Sequence, residues 1–333
     1  MYLAPLNYDR YFKKVFSDLK IAKRFLEDFF EITIETIELL TVNHKITDDA
    51  TAVEFDFRCK IDNQFVIIDM QQWYKPDIVH RFYTYHCVNT ALQLENLPLK
   101  SMALEGDKER KAKDYSEIIP VITFVWMVDD TFGFKDDFVG YTMTPEIVSD
   151  FIKNHLLWKN KDLTKLLEQR EIALEQLSNK AKRLDFLQKN RLIYAFQKNI
   201  VNNSKKENSK YHKYLDWFEL AEKTKNKLNE KSDFLKYSED QIFAELIRRI
   251  SKETLTDEDF TYIDNYEQFT ERVKRWEKPI YEEGIEKGIE KGIYETAKNA
   301  IIEGLSNEII KKITKLTDEQ IDQIRIELSS NDK

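Results

Sequence analysis

Two apolar segments with alternating polarity, set two residues apart, constrain this chain more than any other feature. TAVEFDFRCKI (51–61) and QFVIIDMQQW (64–73) flank Asp62-Asn63. Period-two alternation marks strands, and a two-residue polar turn between them marks a β-hairpin. The turn also fixes the register, because paired residues then have numbers summing to 125. Asp56 falls directly across from Asp69, and Glu54 across from Gln71. Alternation puts these four on one face, with Phe55, Phe57, Ile68 and Met70 on the other. Directly opposed residues have Cβ atoms about 5 Å apart, and like charges so placed are destabilising. A divalent cation between the two carboxylates would turn that liability into a binding site, since hard cations take oxygen ligands. The same alternation also fits a plain solvated hairpin face. Lys75 and Arg81, close in sequence, favour the cation reading.

The flanking segments extend the hairpin into an α/β domain. Residues 10–30 carry Phe12, Val15, Phe16, Leu19, Phe25, Leu26 and Phe29 at helical spacing. ITIETIEL (32–39) reads as a strand with one phase slip. Pro76 opens a helix whose buried face is Ile78, Phe82, Tyr85, Val88 and Leu92. A charged loop (104–117) leads to IIPVITFVWMV (118–128), apolar throughout and expected to be buried on both faces, Trp126 included. FVGYTMT (138–144) reads as an edge strand. The order is helix, three strands, helix, strand, within residues 1–150.

Beyond about 146 the pattern is helical, with a loop at 202–210. Residues 151–278 are expected to form a helical domain. Residues 279–333 are expected to hold a repeat helix and a small helical tail. In the repeat, Gly284, Gly288 and Gly292 recur four apart beside Ile285, Ile289 and Ile293. Glycine weakens a helix by about 1 kcal/mol each. A close helix–helix contact or a flexible linker would each explain the stripe. Gly304 ends one tail helix, Ser306 caps the next, and Thr317 with Gln320 forms a capping box for the last.

Composition narrows the class. With 7 Gly and 6 Pro in 333 residues, an all-β or disordered chain is disfavoured. Two isolated cysteines, Cys59 and Cys87, argue against a disulfide framework and suit a reducing cytoplasm. No stretch reaches the ~18 consecutive apolar residues of a membrane span, so a soluble cytoplasmic protein is expected. The net charge is −8, but residues 159–213 hold 14 Lys/Arg against 6 Asp/Glu, a surplus of +8 that leaves −16 elsewhere. A basic stretch of this kind fits a nucleic-acid partner or a solvated helix surface. His80 and His86 lack the i, i+4 spacing of a helical metal pair, and no P-loop, GxSxG or GxGxxG is present.

Asp56, twelve residues, then Asp69-Met70-Gln71 resembles the D-x(n)-(E/D)-x-(K/Q) signature of PD-(D/E)XK nucleases. Within that superfamily the chain is similar to the Rpn-type recombination-promoting nucleases, also called PD-(D/E)XK family transposases. The shared motifs are YDRYFKKVF (8–16), IDMQ (68–71), RFYTY (81–85) and PVITFVWMV (120–128). EEGIEKGIEKGI and GLSNEIIKKITKLTDEQI extend the likeness to the carboxyl end. The resemblance implies a restriction-endonuclease-like αβββαβ core with a mixed sheet, followed by a mainly α-helical C-terminal region. It implies Mg²⁺-dependent hydrolysis of DNA phosphodiesters, with Mn²⁺ able to substitute, in recombination or mobile-element biology. Asp56, Asp69 and the Met70 backbone carbonyl would hold the metal, and Gln71 would orient the water. Asp9 reads either as a further ligand or as a helix N-cap, and Glu54 as an auxiliary carboxylate or a surface residue. Two departures stand out. The family usually carries Glu at Asp69. Gln71 replaces the superfamily's Lys and can neither act as a base nor carry positive charge. Lys75 or Arg81 would then supply the charge and contact phosphate. A homodimer is expected, since double-strand cleavage needs two sites. Two other readings compete: a DNA-binding regulator whose nuclease centre has decayed, and a scaffold that oligomerises through the Gly/Ile repeat.

Overall fold

The computed structural model describes residues 1–44, 53–62, 64–72, 77–104, 108–159, 163–178 and 185–331. Asn63 of the expected turn, Lys75 and Pro76 lie outside them. The amphipathic segment 10–30 forms two helices rather than one, α1 (Asp9–Phe16) and α2 (Leu19–Phe30). The break is at Asp18, whose carboxylate accepts the Lys20 and Ile21 backbone N–H groups and so starts a second helix. Strands β1 (Ile37–Leu39), β2 (Asn43–His44), β3 (Val53–Glu54), β4 (Phe57–Ile61) and β5 (Gln64–Gln71) follow, then α3 (Ile78–Leu92). Half of the charged segment 104–117 is strand rather than loop: residue 104 ends β6 (Leu99–Leu104), and 108–113 form β7 (Lys108–Lys113), which pairs with it antiparallel. Next come β8 (Val121–Met127) and β9 (Phe138–Tyr141).

Four helices lead on from there: α4 (Glu146–Lys153), α5 (His155–Lys159), α6 (Leu163–Ser178) and α7 (Asp185–Lys189). A strand that the sequence reading missed, β10 (Arg191–Phe196), interrupts this helical region. After it come α8 (Gln197–Asn203), α9 (Leu215–Thr224) and α10 (Gln241–Ile250). Because β10 joins the main sheet, a boundary at residue 150 falls inside a compact unit that spans Met1–Thr254.

The chain is mixed α/β, built on a six-stranded mixed sheet of order β1-β4-β5-β8-β10-β9. β1, β4 and β5 pair antiparallel, β5, β8 and β10 pair parallel, and β9 closes the edge antiparallel to β10. One face of the sheet carries Phe124 and Trp126, packed against Phe25 of α2 and Phe218 of α9. On the other face, Val125, Met127, Tyr194 and Phe196 pack against Ile78 and Phe82 of α3. Both faces of β8 are therefore covered, as its unbroken apolar run predicts. Two indole N–H groups caught in this core are partnered. Trp126 Nε1 donates to Gln197 Oε1 at 2.7 Å, and Trp217 Nε1 to Asp28 Oδ2 at 2.9 Å.

Residues 2–8 form a strap held by the far end of the same unit. Asn229 Oδ1 accepts the Tyr2 and Leu3 N–H groups, Ala4 N–H donates to the Ile250 carbonyl, and Leu6 N–H donates to Thr224 Oγ1. The strap delivers the chain into α1.

The second unit, Leu255–Lys333, consists of α11 (Asp257–Ile302), α12 (Asn307–Thr314) and α13 (Asp318–Asn331). Ala297, Ala300, Ile310, Ile321 and Ile324 make its core. Gly304 leaves α11 at φ 75°, and Thr317 and Gln320 form the expected capping box. Among the described residues, nothing lies within 4 Å of a Cβ placed on Gly284, Gly288 or Gly292.

Candidate active site

The hairpin register is the expected one: Ile61 pairs with Gln64, and the ladder runs to Phe57 opposite Ile68. There it stops. Phe55 N–H donates to the Val42 carbonyl at 3.0 Å, so β3 leaves β5 and pairs with β2 instead. Glu54 consequently faces Asn43 rather than Gln71, which corrects the simple hairpin expectation. Asp56 sits at the bend between β3 and β4. Its Oδ2 accepts the Met70 N–H at 2.9 Å, so a side chain takes the place of a ladder carbonyl. The backbone N–H of Asp56 in turn faces the Asp69 carboxylate and favours its charged form. Asp56 is thus tied to the neighbouring strand through its side chain, with Asp69 turned toward the Asp56 backbone.

Asp69 lies on the face covered by α3 and is 3% exposed. It is buried, but among polar groups: Gln71 Nε2 donates to its Oδ1 at 2.7 Å, and Arg81 Nη2 approaches to 4.0 Å. Gln71 Nε2 also reaches the Met70 carbonyl at 2.9 Å. Burial raises the pKa of Asp56 well above the usual carboxylate range, and the charges of Asp69 and Asp9 add to the rise. Burial raises Asp69 as well, opposed by the Arg81 charge and the Gln71 bond. Two carboxylates held this way gain from any cation that comes between them.

Two helices frame the pair. From α1, Asp9 and Lys13 project one turn apart on one face. Tyr8, not Asp9, is the N-cap residue, and Asp9 points instead to Lys13 at 3.2 Å. Lys13 Nζ lies 2.9 Å from Glu54 Oε1 and 3.4 Å from Asp56 Oδ1. Burial works against this ammonium, yet Glu54, Asp56 and Asp9 together raise its pKa. From α3, the Arg81 guanidinium stands over the rings of Phe82 and Tyr85, at 4.8 and 5.8 Å. Its Nε is buried and makes no hydrogen bond to the described residues. Gln72 Nε2 bonds the Asn7 carbonyl, which fastens the strap to the end of β5 beside the site.

No protein-family model, curated protein or solved structure matches this chain.

The fold thus brings together Asp9, Glu54, Asp56, Asp69, Met70, Gln71 and Arg81 of the sequence-derived set. Lys75 is outside the described residues. Among the described residues, no three carboxylate, imidazole or thiol groups converge as they stand closely enough to hold a metal ion. His80 is exposed, and His86 is spent on Thr123 Oγ1 at 3.0 Å. Sequence reasoning missed Lys13 and Gln72. The sequence links Lys13 only to Asp9, i, i+4 in YDRYFKKVF, and not to Asp56 or Glu54.

Proposed function

We propose that this chain is a divalent-metal-dependent DNA endonuclease built on a restriction-endonuclease-like core of the PD-(D/E)XK type. The observation that carries the reading is the bend at Asp56. It holds a half-buried acid on the Met70 N–H beside a buried acid that shares the Gln71 amide with the Met70 carbonyl, with basic side chains on both flanks. The donor set suits a hard cation, since every candidate ligand is an oxygen. Asp56, Asp69 and the Met70 carbonyl would hold Mg²⁺ or Mn²⁺, with Asp9 and Glu54 at the rim. When bound, such an ion supplies Lewis acidity toward a phosphodiester. The chain's own groups do the rest. Gln71 lies where its amide can orient a water, Arg81 brings Nη2 to 4.0 Å from Asp69, and the basic stretch 159–213 favours a polyanionic partner.

A second reading has one observation in its favour. The Gln71 amide bridges Asp69 Oδ1 and the Met70 carbonyl, two of the acceptors a cation would need. A decayed centre that binds DNA without cutting it would keep that bridge closed. Supercoiled plasmid incubated with purified protein and Mg²⁺ separates the two. Nicks or breaks that Asp56→Asn abolishes support the nuclease. Plasmid retention without cleavage supports the decayed form, and cleavage undiminished by Asp56→Asn would refute the site.

A further inference from the structure

Among the described residues, Lys13 is the basic side chain seated directly among the acids on the α1 side of the site, and its surroundings are unusual for a half-exposed lysine. An ammonium has three protons to donate. Three carboxylates from three elements surround this one: Glu54 of β3 at 2.9 Å, Asp9 of α1 at 3.2 Å and Asp56 of the bend at 3.4 Å. Its helix is fixed, because Phe12 and Phe16 on the buried side of α1 pack edge-on against Trp126 at 5.9 and 6.4 Å. The acids do not share Lys13 evenly. Asp56 Oδ2 is committed to the Met70 N–H, so Oδ1 is the oxygen left to bind a cation. That oxygen is the one Lys13 faces.

From this geometry we infer that Lys13 is a built-in counter-cation, which neutralises the acid cluster and must be displaced before a divalent ion can use Asp56 Oδ1. This rests on the metal-centre reading above. An ammonium and a divalent ion a few ångströms apart repel strongly in a half-buried site. The Lys13 side chain is 32% exposed, so its flexible stem has a route outward. Lys13 then sets the divalent concentration at which the centre assembles, because metal and ammonium compete for one oxygen.

The test is Mn²⁺ affinity, measured on the full chain by calorimetry and by loss of the free-ion EPR signal. Lys13→Met should bind Mn²⁺ on the order of tenfold or more tightly than wild type, since a competing unit charge is gone. Lys13→Arg, which keeps the charge, should stay near wild type, and Lys13→Met combined with Asp56→Asn should lose the gain. Asp56-dependent uptake by wild type that Lys13→Met leaves unchanged or weakens would overturn this inference alone. Absence of Asp56-dependent uptake in both proteins would remove the metal centre and the inference together. A measurement on the wild type covers the case in which Lys13→Met fails to fold. Acylation of Lys13, followed by mass spectrometry, should speed up several-fold when Mn²⁺ is added. A rate that stays constant or falls would count against displacement.

Discussion

Asn229 lies in the loop after α9, away from the acids, yet it holds the strap that delivers α1 to them. Its Oδ1 accepts the Tyr2 and Leu3 N–H groups at 2.8 Å each, and its Nδ2 donates to the Leu3 and Asn226 carbonyls at 2.9 and 2.7 Å. Asn229 is 2% exposed and Leu3 is fully buried. In Asn229→Ala, Tyr2 N–H keeps the residue-229 backbone carbonyl at 2.9 Å. Leu3 loses the side-chain partners of both its N–H and its C=O. A buried polar group left unpaired costs about 1–3 kcal/mol, so the two together should cost about 2–6 kcal/mol. Asn229→Asp should also destabilise, because it returns the acceptor but sets a carboxylate against the Leu3 carbonyl. Urea unfolding followed by tryptophan fluorescence gives the loss, and amide exchange at residues 2–8 locates it. A loss below about 0.5 kcal/mol, with exchange unchanged at the strap, would refute the reasoning, since the orphaned groups would then have found other partners.

Three further outcomes follow from the same structure. A chain ending at residue 150 lacks β10 and the strap's partners at 224–250, and should aggregate; a chain ending at 254 should fold, as judged by near-UV circular dichroism and sedimentation, and a native-like 1–150 fragment would contradict the sheet order. Cys87 is exposed, whereas Cys59 is buried and its thiol pushed up to about 12 by that burial, so Ellman's reagent should find one fast thiol and a second only in denaturant, not two fast ones. Bonds from Arg248, with help from Arg249, hold Glu245 down to about 2 from 4.5, so its stabilisation is complete above pH 4.5 and fades as pH falls toward 2. The pair is near the surface, so Glu245→Gln should cost no more than about 1 kcal/mol near neutral pH. The gap in urea midpoint between Glu245→Gln and wild type should close by about pH 2, and a gap that persists there would show that charge is not its origin.

The sequence disclosed the hairpin register because a two-residue turn and period-two alternation leave one solution, which the pairs from Phe57–Ile68 to Ile61–Gln64 realise. It did not disclose where the ladder ends. That depends on Asp56 taking the Met70 N–H, a choice between side chain and carbonyl that alternation does not encode. RLIYAF (191–196) escaped notice for a related reason. A short apolar strand covered on both faces has no alternation, and amid helical sequence it reads as another buried turn of helix. The break between α1 and α2 was present as Asp18, a capping residue masked by apolar periodicity that continues on both sides. Asp56, Asp69 and Gln71 could be grouped from spacing alone. Lys13 could not, because the contact between α1 and the bend is tertiary: it depends on the strap, on Asn229 and on the tie from Gln72 to Asn7.

The strap also has a consequence in time. Its partners Thr224, Asn229 and Ile250 are made more than two hundred residues after the segment they hold, and β10 must slot between strands already synthesised. A ribosome adding about 5–20 residues per second needs some ten seconds or more to cover that distance. Until residue 196 has been added β8 lacks one neighbour, and until the segment 224–250 follows the strap before α1 is unanchored. The nascent chain therefore carries its acids without a framework to gather them, and the centre can come together only when the first unit is nearly complete.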